Sequence, residues 1–402
     1  MKIKGFLEDI SGIRRITKAR LDAIKNAPAD PIPEDPIRKT AEELHPGPLD
    51  LVVTSVVPAG KDVKTFRFAK PDGAPLPPFR SGQYLVLTLE IDGKLISRPY
   101  SISSGPQEAR QENGFVEITV KKPRKDGFFA DRILESLKEG DPANVLIGVG
   151  EFCYEPLRDA DHILALAGGI GITPFLSMAK EIAAGKTKPS ITILYGADQK
   201  EDLILFDTLQ ELEKAAPDRI RVVPVLRNAG EETDGDSFEH GLLSAELIGR
   251  YLKGKGDTSL FICGPQPMYR YLKSELLKLS LPARRIRFEV FGSVKNISAY
   301  EGYPKEAAGR TFSMTVQRGI REDVIPASAS ESIASALERA GIRLETACRS
   351  GECGFCRTKV LSGSYFVCPE NDGRRAADKD FNYVHACSAF PLSDLKIRIP
   401  IA

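Results

Sequence analysis

Four cysteines near the carboxyl end constrain this 402-residue chain more than any other feature: Cys348-x4-Cys353-x2-Cys356, with Cys387 arriving from a later segment. Three thiols on one short loop and a fourth from elsewhere is the ligand spacing of a 2Fe–2S centre. The loop reads Cys348-Arg349-Ser350-Gly351-Glu352-Cys353-Gly354-Phe355-Cys356. Its two glycines let backbone N–H groups turn towards sulfur, where a Cβ would obstruct them. Zinc is the competing reading, because Cys-x2-Cys is also a zinc signature. Zinc sites of that kind usually pair two doublets, and the sequence holds no second one. A disulfide set is weaker still, since seven cysteines is an odd count. Of the remaining three, Cys153 is expected in a core, and Cys368 lies too close to Cys356 to be the fourth ligand.

The chain is long enough for two to four domains with separate cores. Lys and Arg total 56 against 55 Asp and Glu, and tryptophan is absent. A balanced charge and few stacking rings argue against a nucleic-acid binder. The longest uncharged run, Ile163 to Ala179, is broken by Gly168, Gly169, Gly171 and Pro174. That run suits a strand, a glycine turn and a helix start better than a membrane span. The chain opens on no secretory leader, and with a cluster implied the cytoplasm is the expected compartment.

The pattern changes along the chain. Residues 1–49 hold one short amphipathic helix followed by a proline-rich arm expected to be extended. From Leu51 to about residue 157, alternating runs such as Gln83-Tyr-Leu-Val-Leu-Thr-Leu and Phe115-Val-Glu-Ile-Thr-Val predict a small antiparallel barrel. Over 158–292 short apolar strands alternate with helical stretches, the signature of a parallel α/β sheet. Residues 293–309 read as a linker into a third domain spanning 310–402.

Three further motifs carry chemistry. Arg98-Pro99-Tyr100-Ser101 follows a strand, where the arginine can pair with phosphate, the ring can pack on a flat ring system and the hydroxyl can reach a ring nitrogen. Gly168-Gly169-Ile-Gly171-Ile-Thr173-Pro174 sits between a strand and a helix. Its glycines allow a pyrophosphate to approach the helix N-terminus, and Pro174 suits the first helical position. The proline stands where the Rossmann fingerprint has its third glycine, so this is a different turn. Cys263-Gly264-Pro265-Gln-Pro-Met268 ends another strand, where ligands of open α/β sheets gather. A small thiol there can lie beside a nicotinamide ring, although a buried core cysteine is the plainer reading. Glu289, in Arg287-Phe-Glu289-Val-Phe291, closes the α/β region; a surface carboxylate is its plain alternative.

In this order, and followed by the cysteine loop, these motifs resemble the ferredoxin–NADP reductase superfamily. The closest resemblance is to its oxygenase-reductase branch with a C-terminal plant-type ferredoxin domain. It covers about residues 50 to 402 and implies a flavin barrel, a nicotinamide α/β domain and a β-grasp ferredoxin domain. It implies that Arg98, Pro99, Tyr100 and Ser101 bind flavin, with Gly127-Phe128-Phe129-Ala130 at the flavin phosphates. Gly169, Gly171, Thr173, Pro174, Gly264, Pro265, Met268 and Phe291 would meet the bound cofactors. Ser101, Cys263 and Glu289 would border the hydride-transfer site, and Cys348, Cys353, Cys356 and Cys387 would hold the cluster. Alanine at 130 replaces the family's serine, which leaves FAD, with FMN possible, as the implied flavin. Asp198, after the second α/β strand, favours NADH over NADPH because an acid bonds a ribose hydroxyl and repels a 2′-phosphate. The expected activity is electron transfer from NADH through flavin and 2Fe–2S to a metalloprotein such as an oxygenase or demethylase. The alternative is a redox-sensing or scaffold protein with little turnover.

Overall fold

In a computed structural model the described residues are 6–27, 35–44, 46–122, 128–228, 238–254, 256–290, 292, 294 and 296–400. Gly127 and Phe291 lie outside them. The chain divides into two units, Met1–His45 and Pro46–Ala402.

The first unit holds α1 (Phe6–Lys25) and α2 (Pro36–Leu44). The second helix departs from the extended arm that the proline content suggests. Asp35 Oδ1 accepts from Ile37 N at 2.9 Å, and Pro36 opens the first turn. An Asx cap followed by proline is a helix start, and that local signal outweighs the composition around it. Arg38 and Glu42, one turn apart at 2.8 Å, add an exposed pair.

The second unit begins with an antiparallel sheet of β1 (Leu49–Gly60), β2 (Val63–Ala69), β3 (Tyr84–Ile91), β4 (Lys94–Ser101), β5 (Phe115–Lys121) and β6 (Pro142–Val149). Its order is β4-β3-β6-β1-β2-β5, and a bridge between Ile102 and Ile118 joins the two outer strands. That joint brings the two ends of the sheet together into a barrel. Alternate side chains fill the interior, among them Phe66, Phe68, Leu85, Leu87, Val116 and Ile118. Helix α3 (Pro106–Ala109) is a single turn, and α4 (Phe128–Ser136) plugs the barrel with Phe129 and Ile133.

The next sheet is parallel: β7 (His162–Gly168), β8 (Ser190–Ala197), β9 (Ile220–Leu226), β10 (Glu239–His240), β11 (Ser259–Cys263) and β12 (Ile286–Glu289). It is crossed by α5 (Thr173–Ala183), α6 (Phe206–Ala215), α7 (Ala245–Leu252) and α8 (Gln266–Leu277). Strand β7 is buried along its whole length, as a central strand covered on both faces must be. The order β10-β9-β8-β7-β11-β12 reverses direction between β7 and β11. Carboxyl ends of strands at such a reversal frame a crevice.

The last part is a mixed sheet of β13 (Thr311–Arg318), β14 (Arg321–Ser328), β15 (Arg357–Ser362), β17 (Tyr383–His385) and β19 (Leu395–Arg398), packed against α9 (Ile333–Arg339). A short ribbon of β16 (Tyr365–Val367) and β18 (Ala389–Pro391) and the turn α10 (Ala376–Asp380) complete this β-grasp unit. The 293–309 connection is not a bare tether. Ile297, Tyr303 and Ala307 are buried with Phe312, Ala329, Cys368 and Phe390 of the last domain. Tyr303 donates its hydroxyl to Ala329 O at 2.9 Å.

Candidate functional site

At the reversal between β7 and β11 two loops touch through backbone. Gly168 ends β7, a single tight turn covers Gly169–Ile172, and α5 starts at Thr173-Pro174. A Cβ on Gly171 would meet Cys263 O, lie 2.5 Å from the Cys263 carbonyl carbon and 2.7 Å from Gly264 Cα. One on Gly168 would lie 2.6 Å from Met268 Sδ. The two motifs are therefore halves of one surface, and glycine is needed where they meet. Gly169 has φ +54°, which favours the residue without a Cβ. Thr173 is buried and its hydroxyl donates to Ile170 O at 3.1 Å, which steadies the turn.

Asp198, just past β8, pairs with Arg227, just past β9, at 2.8 Å. Acid and base thus stand together at the outer end of the crevice.

The flavin motif lies on β4. The guanidinium of Arg98 sits 5.2 Å from the ring centre of Phe129, and Tyr100 stacks on that ring at 6.5 Å with 22° between planes. Arg98, Tyr100 and the start of α4 thus converge, and Ala130 packs on the barrel core. Ser101, at the end of the same strand, is buried. Burial pushes the Tyr100 phenol well above its ordinary value, so it remains a neutral donor. Arg98 also does something the motif does not foretell: it forms a two-point pair with Glu338 of α9.

Pairing of β15 with β17 delivers the fourth cysteine. Arg357 lies opposite His385, and Ala386 N donates to Cys356 O at 3.1 Å, so Cys387 arrives beside the loop. The thiols of Cys348 and Cys353, Cys348 and Cys387, and Cys356 and Cys387 face one another in pairs. Among the described residues no group of three Cys, His, Asp or Glu is gathered as for a single ion. Ser350 N and Cys353 N both point at Cys348 Sγ, 3.4 Å away. Gly351 (φ +88°) and Gly354 (φ +78°) turn the chain around this cradle. Ser350 Oγ is buried without a partner and fits an acceptor sulfur. The donor set and the inward N–H groups fit a 2Fe–2S cluster. His385 is buried and its Nδ1 contacts Gly351 O, which makes it a packing residue of the loop. Cys368 is fully buried in a separate apolar cluster.

The three parts meet at one place. Tyr84 starts β3 opposite Ser101 and packs with Val86, Ala347 and Cys348. Burial, then the Cys353 and Cys348 thiols and the Glu289 and Glu352 carboxyls, push its phenol far up. Cys263 and Glu289 are register partners at the carboxyl ends of β11 and β12. The Tyr269 hydroxyl accepts from Gly264 N at 2.9 Å and donates to Glu289 O, holding those ends together. Burial, with Glu289 next, raises the Cys263 thiol, which stays uncharged. Glu289 is 9% exposed rather than a surface acid, and burial, Glu352 and Cys348 hold its carboxyl well above the usual range. Flavin cradle, nicotinamide crevice and cluster loop therefore share a border.

A barrel with a flavin cradle, a parallel sheet with a nicotinamide crevice and a four-cysteine loop define an NAD(P)H-dependent electron-transfer reductase. A model of the oxidoreductase FAD-binding domain matches residues 50–154, one of the oxidoreductase NAD-binding domain 165–274, and one of the 2Fe-2S iron-sulfur cluster binding domain 319–392. The chain belongs to the ferredoxin–NADP reductase superfamily, in the oxygenase-reductase branch with a C-terminal 2Fe–2S domain. The ferredoxin reductase component of 3-ketosteroid-9-alpha-monooxygenase from Mycobacterium tuberculosis is 29% identical over 364 residues, spanning 88% of this chain and 96% of that protein. Phthalate dioxygenase reductase from Burkholderia cepacia is 29% identical over 317 residues, 79% of this chain and 87% of that one. A solved phthalate dioxygenase reductase structure has the same fold at a TM-score of 0.62, with 24% identity over 88% of this chain and 98% of its own.

The motifs did not mark Tyr84, which borders the candidate site, or Glu338, which touches Arg98 from outside it. Tyr84 had one visible signal, its place at the head of a strand beside the flavin strand. Glu338 had none.

Proposed function

We propose that the protein draws electrons from NADH and passes them to the metalloprotein component of an oxygenase. The observation that carries this is the shared border of Tyr84, Ser101, Cys263, Glu289 and the cluster loop. Bound FAD supplies the conversion of a two-electron hydride donor into the single electrons that a 2Fe–2S centre carries. The chain's own residues do the placing. Arg98 and the start of α4 hold the flavin phosphates, while Tyr100 and Ser101 fix its ring system. Gly168, Gly169 and Gly171 admit the pyrophosphate of the nicotinamide cofactor. Cys263, small and uncharged, borders its reactive ring without competing as a nucleophile. Cys348, Cys353, Cys356 and Cys387 hold the cluster, with the loop N–H groups facing sulfur.

NADH is favoured because an acid at position 198, just past β8, can bond ribose hydroxyls and repel a 2′-phosphate, while Arg227 is engaged by that acid. Relatives named for a steroid monooxygenase and for phthalate dioxygenase support an oxygenase as the class of acceptor. The cytoplasm suits a protein whose cysteines form no disulfide and four of which would hold a cluster. No described helix is long and apolar enough to cross a membrane.

The test is anaerobic addition of NADH to the full-length holoprotein. Flavin bleaching followed by the EPR signal of a reduced 2Fe–2S centre is expected, with fast reduction of cytochrome c in air. Flavin bleaching without that signal refutes the proposal.

A further inference from the structure

One carboxylate ties the last domain to the flavin strand. Glu338 stands in the last turn of α9, where Oε1 and Oε2 accept from Arg98 Nη1 and Nη2 at 2.7 and 3.1 Å. The same two oxygens accept from Arg349 Nη1 and Nη2 at 3.0 and 3.1 Å. Both guanidiniums thus meet the carboxylate in two-point geometry, the strongest form of this contact. Arg98 belongs to the flavin motif, and Arg349 follows the first cluster ligand. One side chain therefore joins three segments: flavin strand, cluster loop and the helix of the β-grasp.

The seam is poorly solvated. The side chains of Glu338, Arg98 and Arg349 are 17%, 27% and 6% exposed, so water screens their attraction much less than at an open surface. Without the carboxylate, two cations would face each other with little solvent, which is costly. Backbone contacts extend the seam: Lys94 Nζ donates to Arg339 O at 2.6 Å, and Arg349 Nη1 reaches Ser97 O at 3.4 Å. Arg98 is not exhausted by the pair. Nη1 serves Ser97 O and Glu338, and Nη2 gives one hydrogen to Glu338. Nε and the second Nη2 hydrogen remain for a phosphate. The three side chains together carry one positive charge, which suits an anion beside them.

We propose that Glu338 is a positioning residue for electron transfer: it seats the ferredoxin domain on the flavin strand and so holds the cluster loop against the flavin cradle. This rests on the reading of the protein as a reductase whose cluster is filled from the flavin. Glu338 touches neither cofactor; it acts through Arg98 and Arg349.

The experiment uses the full-length holoprotein with Glu338→Gln, which keeps the shape and removes the charge, and Glu338→Asp, which keeps the charge. For Glu338→Gln, NADH oxidation with ferricyanide should keep its kcat and KM, because ferricyanide takes electrons from the flavin directly. Cytochrome c reduction should fall about tenfold, the scale of lost hydrogen bonds between charged groups. The EPR spectrum of the reduced cluster should be unchanged. Flavin fluorescence should rise, since a cluster seated less often nearby quenches it less. Glu338→Asp should recover part of both the rate and the quenching. A Gln variant with the wild-type ratio of activities and wild-type fluorescence overturns the proposal. So does tighter flavin binding at an unchanged ratio, which would make Glu338 a mere occupant of the phosphate's place. Loss of both activities together, or of the cluster, assigns it a purely structural role and also overturns it. A wild type unable to reduce cytochrome c would instead sink the proposed function, so the two failures are distinguishable.

Discussion

Gly171→Ala tests how closely the two nicotinamide loops must meet. The added Cβ would lie 2.5 Å from the Cys263 carbonyl carbon and 2.7 Å from Gly264 Cα. Carbon atoms in contact prefer about 3.5–4.0 Å, so the loops must part by roughly 1 Å. No side-chain rotation relieves this, because the atoms struck are backbone at the end of the buried strand β11. Overpacking of this kind costs about 1–3 kcal/mol of stability. The larger effect falls on function, since a misplacement of about 1 Å in a reacting pair can cost on the order of 100-fold in rate. In the NADH–ferricyanide assay, kcat/KM should drop by about that factor, with flavin absorbance and the cluster EPR signal retained. Gly264→Ala is the internal control. Its Cβ would approach Met268 Cε at 2.5 Å and Sδ at 2.8 Å, the end of a flexible side chain that can move away. The milder effect should therefore belong to Gly264→Ala. If Gly171→Ala keeps a kcat/KM close to wild type, or Gly264→Ala proves worse, the close apposition of the loops is not what shapes the site.

Three further outcomes are expected. Cys353→Ser should abolish or strongly weaken cluster binding, whereas Cys368→Ser, in a separate buried cluster, should leave iron, sulfide and the EPR signal in place. A chain ended at Gly292, before the segment that packs into the β-grasp unit, should remain yellow and oxidise NADH with ferricyanide while losing efficient cytochrome c reduction. Asp198→Ala should raise the KM for NADH with little change in kcat and free Arg227 for a 2′-phosphate, lessening discrimination against NADPH. The gain should be modest because an exposed pair carries only about 0–1 kcal/mol, and initial rates with both cofactors on wild type and variant measure it.

Local chemistry made much of this protein legible from its residues alone. Ligand spacing in Cys348–Cys356, the glycine turn before α5 and the alternation in runs such as 83–89 and 115–120 are short-range patterns. They reflect backbone geometry within a few residues. The order of three domains followed from where those patterns change. Helix α2 was also written locally, in Asp35-Pro36, but the prolines around it suggested an extended arm. Other features exist only once distant segments meet. Glu289 could be set at the site only by resemblance, with a surface acid as the plain alternative, until the carboxyl end of β12 is brought beside Tyr84, Glu352 and Cys348. Arg98 reads as a phosphate ligand alone, and only the fold shows that Glu338, 240 positions later, also takes two of its hydrogens. The 293–309 segment reads as a linker until Tyr303 is buried against Cys368 and Phe390. Charge pairing and burial depend on which surfaces face each other across domains, and no window of sequence holds both faces. Residue chemistry decided which groups this chain can hold; tertiary packing decided how closely the sites for hydride, flavin and cluster stand and which side chains keep them there.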